Sequence, residues 1–368
     1  MFINPSNHKN HSFFMRLALA QAQKNLGNTN KNPSVGCVIT KNNSMISAGC
    51  TGINGRPHAE VDAINFSKID LKNSQLYVTI EPCSHYGKTP PCVKSIMNKK
   101  INKVFFSIHD ADTRSFYKSA RILKKRGIYV KSALLEDEVK FFYRSYIKSR
   151  KDILPFVTYK LAISKDSYTV NQKKNKFITN KFSRGRVHLM RSSHDCVISS
   201  SKTIINDNSR LTCRINGLID RSPSRIILDN KLKIPVSSNI YKEANKFKTI
   251  VFYNKENKNK IKLLKKLNVK LFKITLDSEG NLDLKKCLIK AKKLSFSRIF
   301  LESGIKLANN FINKNLVDDL KLFISNKKLG KYGKSKVTKY LKSLFRNNKY
   351  TIEKINLFGD KLITYKLK

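Results

Sequence analysis

The chain has 368 residues, of which 40% are hydrophobic and 27% charged, which excludes a compositionally disordered protein. At roughly 150 residues per domain, the length implies about two domains, each long enough to bury its own core. Lys plus Arg number 74 against 25 Asp plus Glu, a net charge of +49 that admits two readings, a nucleic-acid binder or a composition drifted toward Lys and Asn.

Met15–Leu26 has helical spacing and ends near Gly27. Two short strands follow, Val35–Thr40 and Met45–Gly49, across the turn-like Lys41-Asn42-Asn43-Ser44. His58–Phe66 reads as a helix opening after Pro57, Leu76–Ile80 as a strand and Pro91–Asn98 as a helix. Val104–Ile108 is a strand, Ser119–Arg126 a helix stopped by Gly127, and Ile128–Lys131 a strand. Glu136–Arg150 reads as one helix, and Lys151-Asp152 as a linker. The pattern divides the chain into two α/β domains, 1–150 and 151–368.

In the second half, Phe156–Ala162, Cys196–Ser199, Arg225–Leu228, Thr249–Tyr253, Val269–Ile274, Arg298–Leu301 and Asp319–Ile324 read as strands. Ser183–Ser192, Leu284–Lys292 and Ile305–Asn313 read as helices, and Tyr350–Leu357 and Lys361–Leu367 as closing strands. Asn254–Lys260 reads as a solvated loop. No run approaches the ~18 apolar residues of a membrane span, and the polar start is not a secretory signal. Seven thinly spread cysteines argue for a reducing, cytoplasmic setting rather than a disulfide scaffold. The lysine excess is smeared along the chain with little aromatic interleaving, so drift explains it better than a nucleic-acid groove. An anionic small substrate would still benefit from the field.

Three segments carry chemistry: His58-Ala59-Glu60, Pro82-Cys83 and Pro91-Cys92. His-x-Glu followed by Pro-Cys and a second Cys is the signature of zinc nucleobase deaminases. One imidazole and two thiolates fill three positions of a tetrahedral zinc, one ion per chain, and leave the fourth open. Glu60 lies two positions after His58, near a helix start, where its carboxylate can serve as general acid and base. Any one of Cys37, Cys50, Cys196, Cys213 and Cys287 reads instead as a small buried hydrophobe. In the second half, Glu302-Ser303-Gly304 closes a strand and opens a helix; the residues alone allow a phosphate cradle or an ordinary turn.

The long run Glu81-Pro82-Cys83-Ser84-His85-Tyr86-Gly87-Lys88-Thr89-Pro90-Pro91-Cys92, with Asn32-Pro33-Ser34-Val35-Gly36 upstream, resembles the bifunctional riboflavin-biosynthesis deaminase/reductase family over essentially the whole chain. The resemblance implies a cytidine-deaminase-like three-layer domain followed by a dihydrofolate-reductase-like domain that uses NADPH. It implies a small phosphorylated pyrimidine as substrate, no specific nucleic acid, no membrane, and leaves room for a homo-oligomer. In the deaminase half it assigns substrate contacts to Asn32, His85, Lys88 and Asp110. In the reductase half it assigns them to Lys160, Asn175, Arg191, Leu211, Arg214 and Glu302. Cofactor contacts fall to Ala162, Phe177, Thr203, Asp207, Asn230 and the run Gly304-Ile305-Lys306-Leu307-Ala308-Asn309-Asn310.

Several positions depart from the family pattern. Its Asp-Pro-Asn-Pro and the Gly-rich stretch after it become Asp110-Ala111-Asp112-Thr113 and Ser115-Phe116-Tyr117-Lys118. Its Leu-Asp-Gly becomes Lys165-Asp166-Ser167, its Trp is Phe177, its Asp-Pro is Asn208-Ser209, and its Gly-Gly-Pro turn is Ser303-Gly304-Ile305. These departures keep a second reading open: a deaminase whose back half is a structural domain.

Overall fold

The computed structural model describes residues 5–172 and 177–368. The chain falls into two compact units, one ending at Asp152 and the next beginning at Ile153.

The first unit holds helices α1 (Pro5–Gln23), α2 (Ala59–Phe66), α3 (Cys92–Asn98), α4 (Lys118–Lys125), α5 (Glu136–Phe142) and α6 (Arg144–Lys151). Its strands are β1 (Gly36–Lys41), β2 (Ser44–Cys50), β3 (Gln75–Ile80), β4 (Lys103–Ile108) and β5 (Tyr129–Lys131). They form one sheet in the order β2-β1-β3-β4-β5, antiparallel up to β3 and parallel beyond it. Strand alternation sends Ile39, Leu76, Val78, Val104 and Phe106 to a core shared with α2, α3 and α4. Their neighbours Val38, Tyr77 and Phe105 face Phe14, Met15 and Ala18 of α1. The result is three layers, helix, sheet and helix, the architecture the resemblance implies. Two glycines let helices lie directly on the sheet. A Cβ at Gly36 would run into the Ala18 carbonyl of α1, and one at Gly49 into the backbone of α2 at Ala63.

The second unit holds β6 (Phe156–Ile163), β7 (Tyr168–Asn171), β8 (Cys196–Ser200), β9 (Ser224–Leu228), β10 (Thr249–Tyr253), β11 (Lys270–Lys273), β12 (Arg298–Leu301), β13 (Asp319–Ile324), β14 (Gly333–Lys336), β15 (Tyr350–Ile352) and β16 (Lys361–Lys366). Nine of these form a sheet in the order β11-β10-β9-β8-β12-β6-β13-β16-β15, parallel except at β16 and β15, while β7 pairs with β14. Its helices are α7 (Lys181–Ser192), α8 (Ser201–Asp207), α9 (Asn239–Lys242), α10 (Lys258–Lys266), α11 (Leu284–Lys293), α12 (Ile305–Asn313) and α13 (Thr338–Asn347). Ile198, Ile226, Ile250 and Ile299 pack with α11, α12 and α13, whereas Val197, Ile227, Val251 and Phe300 pack with α7, α8, α9 and α10. A mostly parallel sheet covered on both faces fits the near-continuous apolar runs of its strands. Among the described residues no lysine is fully buried; Arg225 is the large cation enclosed in a core.

Some elements differ from the sequence reading. The first helix begins ten residues earlier, at Pro5, than the expected Met15. The single helix read over 136–150 is two helices meeting at Tyr143, whose hydroxyl bonds the Ser34 carbonyl and Thr79 Oγ1, both at 2.7 Å. Residues 258–260, read as loop, open α10: Asn257 Oδ1 caps it through the Lys260 N–H at 3.0 Å, and Leu264 buries its inner face. The strand read over 350–357 stops at Ile352. Asn175 lies outside the described residues.

Candidate active sites

The metal residues of the first unit come from two helix starts and one strand end. His58 is the residue before α2, Cys92 opens α3, and Cys83 follows β3 by three positions. Cys83 Sγ stands 3.4 Å from both His58 Nδ1 and Cys92 Sγ, and His58 Nδ1 stands 3.3 Å from Cys92 Sγ. All three donor atoms lie within 4.8 Å of one another. The Cys92 side chain and backbone N–H both reach Cys83 Sγ and hold its thiol down to about 4, with His58 adding to the effect. A thiolate is the ligand form of cysteine, so the donor set fits zinc. Glu60, on the first turn of α2, is 4% exposed. Burial pushes its carboxyl up to about 7, and the Cys83 thiolate adds to the rise. A carboxyl near neutrality can both take and return a proton.

Around this centre the structure shows what sequence reasoning missed. Arg56 Nη1 lies 3.0 Å from His58 Nε2 and also donates to Thr89 Oγ1, tying the start of α2 to the loop between the cysteines. Glu81 is fully buried and accepts from His109 Nδ1 at 2.8 Å, Tyr117 N at 3.1 Å, Ser119 N at 3.2 Å and Ser119 Oγ at 2.6 Å. Its position beside Pro82-Cys83 was the available signal. Asn32 donates to the Gly55 carbonyl at 2.9 Å, bracing the turn before Arg56. His85 Nδ1 meets Ser115 Oγ at 2.9 Å, and Lys88 is exposed on the same loop. Asp110 is buried and accepts from Tyr146 OH at 2.7 Å and Asp112 N at 3.0 Å; burial raises its carboxyl. Asp112, the carboxylate in place of the family's Asn, is gripped by Arg114 Nε at 2.9 Å and Nη2 at 2.7 Å, with Arg150 3.7 Å away. Arg114 holds that carboxyl well below its usual range, so its charge is neutralised locally.

In the second unit three of the assigned residues follow the carboxyl ends of three neighbouring parallel strands, where open α/β sheets bind ligands. Thr203 lies just after β8, Asn230 after β9 and Glu302 after β12. Arg191 of α7 forks onto Glu302, Nε to Oε1 at 2.5 Å and Nη2 to Oε2 at 2.9 Å, and Nη1 donates to the Thr212 carbonyl at 2.9 Å. Burial alone would raise the Glu302 carboxyl; the Arg191 charge and hydrogen bonds outweigh it and, with Lys160, bring it below the usual range. Burial lowers Lys160, partly offset by Glu302. These three residues share one cluster, whereas Asp207 closes α8. Leu211 is buried with φ +57°, and Arg214 is exposed, its N–H reaching His188 Nδ1 at 3.2 Å. His188 was missed by sequence reasoning; burial, with Arg191 beside it, brings it down to about 4. Ala162 packs against the α7–α10 side of the sheet, and Phe177 is exposed under the Arg184 guanidinium. Asn230 Nδ2 donates to the Gly280 carbonyl at 3.3 Å.

Gly304 caps α12, and open space stands where its side chain would be. The side chains of Ile305 and Ala308 are in the core. Ser303 Oγ and Asn309 Oδ1 are buried without a hydrogen-bond partner. A buried, unpartnered Ser303 hydroxyl, able to donate, beside a helix N-terminus with no side-chain cap fits a pyrophosphate, so the turn suits NADPH.

Two family models match the chain: the RibD C-terminal domain over residues 155–363, and the cytidine and deoxycytidylate deaminase zinc-binding region over residues 8–108. The chain belongs to the RibD family. The riboflavin biosynthesis protein RibD of Aquifex aeolicus is 30% identical over 354 residues, 96% of this chain and 97% of its own length. That of Bacillus amyloliquefaciens is 31% identical over 314 residues, 85% of this chain and 84% of the relative. Acinetobacter baumannii RibD superposes with a TM-score of 0.83 at 27% identity, covering 98% of this chain and 99% of that one. A Thermotoga maritima diaminohydroxyphosphoribosylaminopyrimidine deaminase/5-amino-6-(5-phosphoribosylamino)uracil reductase gives 0.83 at 28% identity over the same shares. As a RibD family member the chain is a bifunctional riboflavin-biosynthesis enzyme, with a zinc deaminase domain and an NADPH-dependent reductase domain. No described helix is long and apolar enough to cross a membrane.

The RibD ligand set predicts one zinc per chain. Cys83→Ser is expected to lose it in metal analysis; full retention would remove Cys83 from the set.

Proposed function

We propose that the chain deaminates 2,5-diamino-6-(5-phosphoribosylamino)pyrimidin-4-one and then reduces the ribosyl group of the product to a ribityl chain. The observation that carries this reading is the convergence of His58, Cys83 and Cys92 beside the buried Glu60 in a RibD chain. Zinc supplies a water activated at neutral pH, and NADPH supplies the hydride of the second step. Glu60 moves the two protons of the attacking water in turn, the first to the ring nitrogen and the second to the departing amine. One C–N bond breaks, one C–O bond forms, and ammonia leaves. Asn32 orients the pyrimidine, and His85 and Lys88 hold the phosphate. In the second unit Arg191 and Arg214 hold the phosphate, Lys160 meets the ribose, and Glu302 accepts from the substrate and sets Arg191.

A two-step assay on the purified chain tests this: ammonia release from the diaminopyrimidine, then NADPH oxidation by the deaminated product. Absence of the first step overturns the reading. NADPH at millimolar concentration is expected to raise the melting temperature of the second unit. An unchanged melting temperature together with no oxidation would favour the alternative, a deaminase with a structural back half. Binding to duplex DNA or tRNA is expected to be weak at physiological salt and without sequence preference. Nanomolar, sequence-specific binding there would overturn drift as the origin of the charge.

A further inference from the structure

We infer that Ser115 is a positioning residue of the deaminase site, fixing His85 so that the ring presents Nε2 to the substrate's phosphate. The inference rests on the proposed role of His85 and adds a partner on a segment where this chain departs from the family.

The departure is a loop without glycine, Arg114-Ser115-Phe116-Tyr117-Lys118, and its geometry is tightly determined. Ser115 N and Phe116 N both donate to the Asp112 carbonyl, at 3.0 and 3.1 Å, and Lys118 N donates to the Ser115 carbonyl at 3.0 Å. Tyr117 takes φ +58°, a left-handed conformation that a glycine adopts at no cost. The Glu81 carboxylate secures this turn by accepting from the backbone of Tyr117 and of Ser119, and from the Ser119 hydroxyl. Glu81 immediately precedes Pro82-Cys83, so one buried side chain locks the loop to the segment that carries a metal ligand.

Ser115 is 0% exposed within this frame, and its hydroxyl lies 2.9 Å from His85 Nδ1. A hydroxyl can donate or accept, so it engages Nδ1 in either tautomer. An imidazole held through one nitrogen has its plane and its second nitrogen fixed. The loop that lost its glycines thus gains a rigid brace for a side chain that would otherwise hold several rotamers.

Deamination kinetics with the phosphoribosylated diaminopyrimidine and with its dephosphorylated counterpart test the assignment. Ser115→Ala is expected to raise KM for the phosphorylated substrate about tenfold, the loss of roughly one hydrogen bond to a charged site, with kcat within about twofold. The dephosphorylated substrate should show no change in KM, and zinc content should remain at one per chain. Ser115→Thr and Ser115→Val add the same bulk to a buried position and differ in the hydroxyl; Thr should restore the low KM and Val should not. Combining Ser115→Ala with His85→Ala should cost no more than His85→Ala alone. Equal rises in KM for both substrates, equal behaviour of Thr and Val, or additive losses overturn the brace. If His85→Ala leaves KM unchanged, the phosphate role of His85 falls and the brace with it. If His85→Ala raises KM and Ser115→Ala does not, the brace alone is wrong.

Discussion

Glu60→Gln is expected to lower the deamination rate by at least about two to four orders of magnitude, the range general acid–base groups supply. Glutamine keeps the shape and fills the same space beside Cys83, but it cannot carry a proton from water to the ring nitrogen. Zinc content and reduction of the pre-deaminated product should persist, because neither depends on a proton at this position. Metal analysis, ammonia release and NADPH oxidation on one preparation separate the outcomes. Loss of both activities together would refute the assignment of the two reactions to separate units.

Arg191→Ala should have the largest effect in the second unit, and on two quantities at once. Arg191 and Glu302 each have side chains 11% exposed and meet through two hydrogen bonds. Removing the arginine leaves a buried carboxylate without its main partner, a loss of about 3–5 kcal/mol. That corresponds to a fall of roughly 10 °C in melting temperature for a unit of this size. Arg191→Ala with Glu302→Gln should recover much of the stability, since no carboxylate is stranded, but not the KM for the phosphorylated substrate. The pH dependence follows from the depressed Glu302 carboxyl. A group whose folded pKa lies below its unfolded value stabilises the fold above the unfolded pKa, about 4.3 for glutamate. That contribution disappears as the pH falls through the folded value. Wild type and double variant should therefore converge in stability under strong acid and diverge above about pH 5.

What the sequence discloses follows the range of the interactions. His58, Cys83 and Cys92 were legible because each sits in a short motif whose chemistry requires that residue type. The strands were legible from apolar runs such as Val104–Ile108. The contacts between site residues were not: Arg191 and Glu302, each assigned to the substrate by the resemblance, meet across 111 residues, and His85 and Ser115 across 30. Nothing local marks such pairs. The start of α10 was hidden because lysine and asparagine obscured an amphipathic stripe, and nothing local marks Tyr143, whose hydroxyl meets Ser34 and Thr79 on distant segments. Loop departures at Asp112 and Tyr117 break the family pattern in sequence, yet in space Arg114 and Glu81 compensate them.

That no lysine among the described residues is fully buried has a consequence for how the protein responds to its medium. The lysine excess therefore lies outside the core, and the +49 charge acts largely as mutual repulsion. Mobile anions screen that repulsion over a Debye length of about 10 Å at 0.1 M ionic strength. The melting temperature should therefore climb as sodium chloride is raised from millimolar levels to about 0.3 M, the reverse of a fold held by surface ion pairs. Polyanions should act at far lower concentration than simple salt. For this chain the ionic content of its surroundings is a component of its stability.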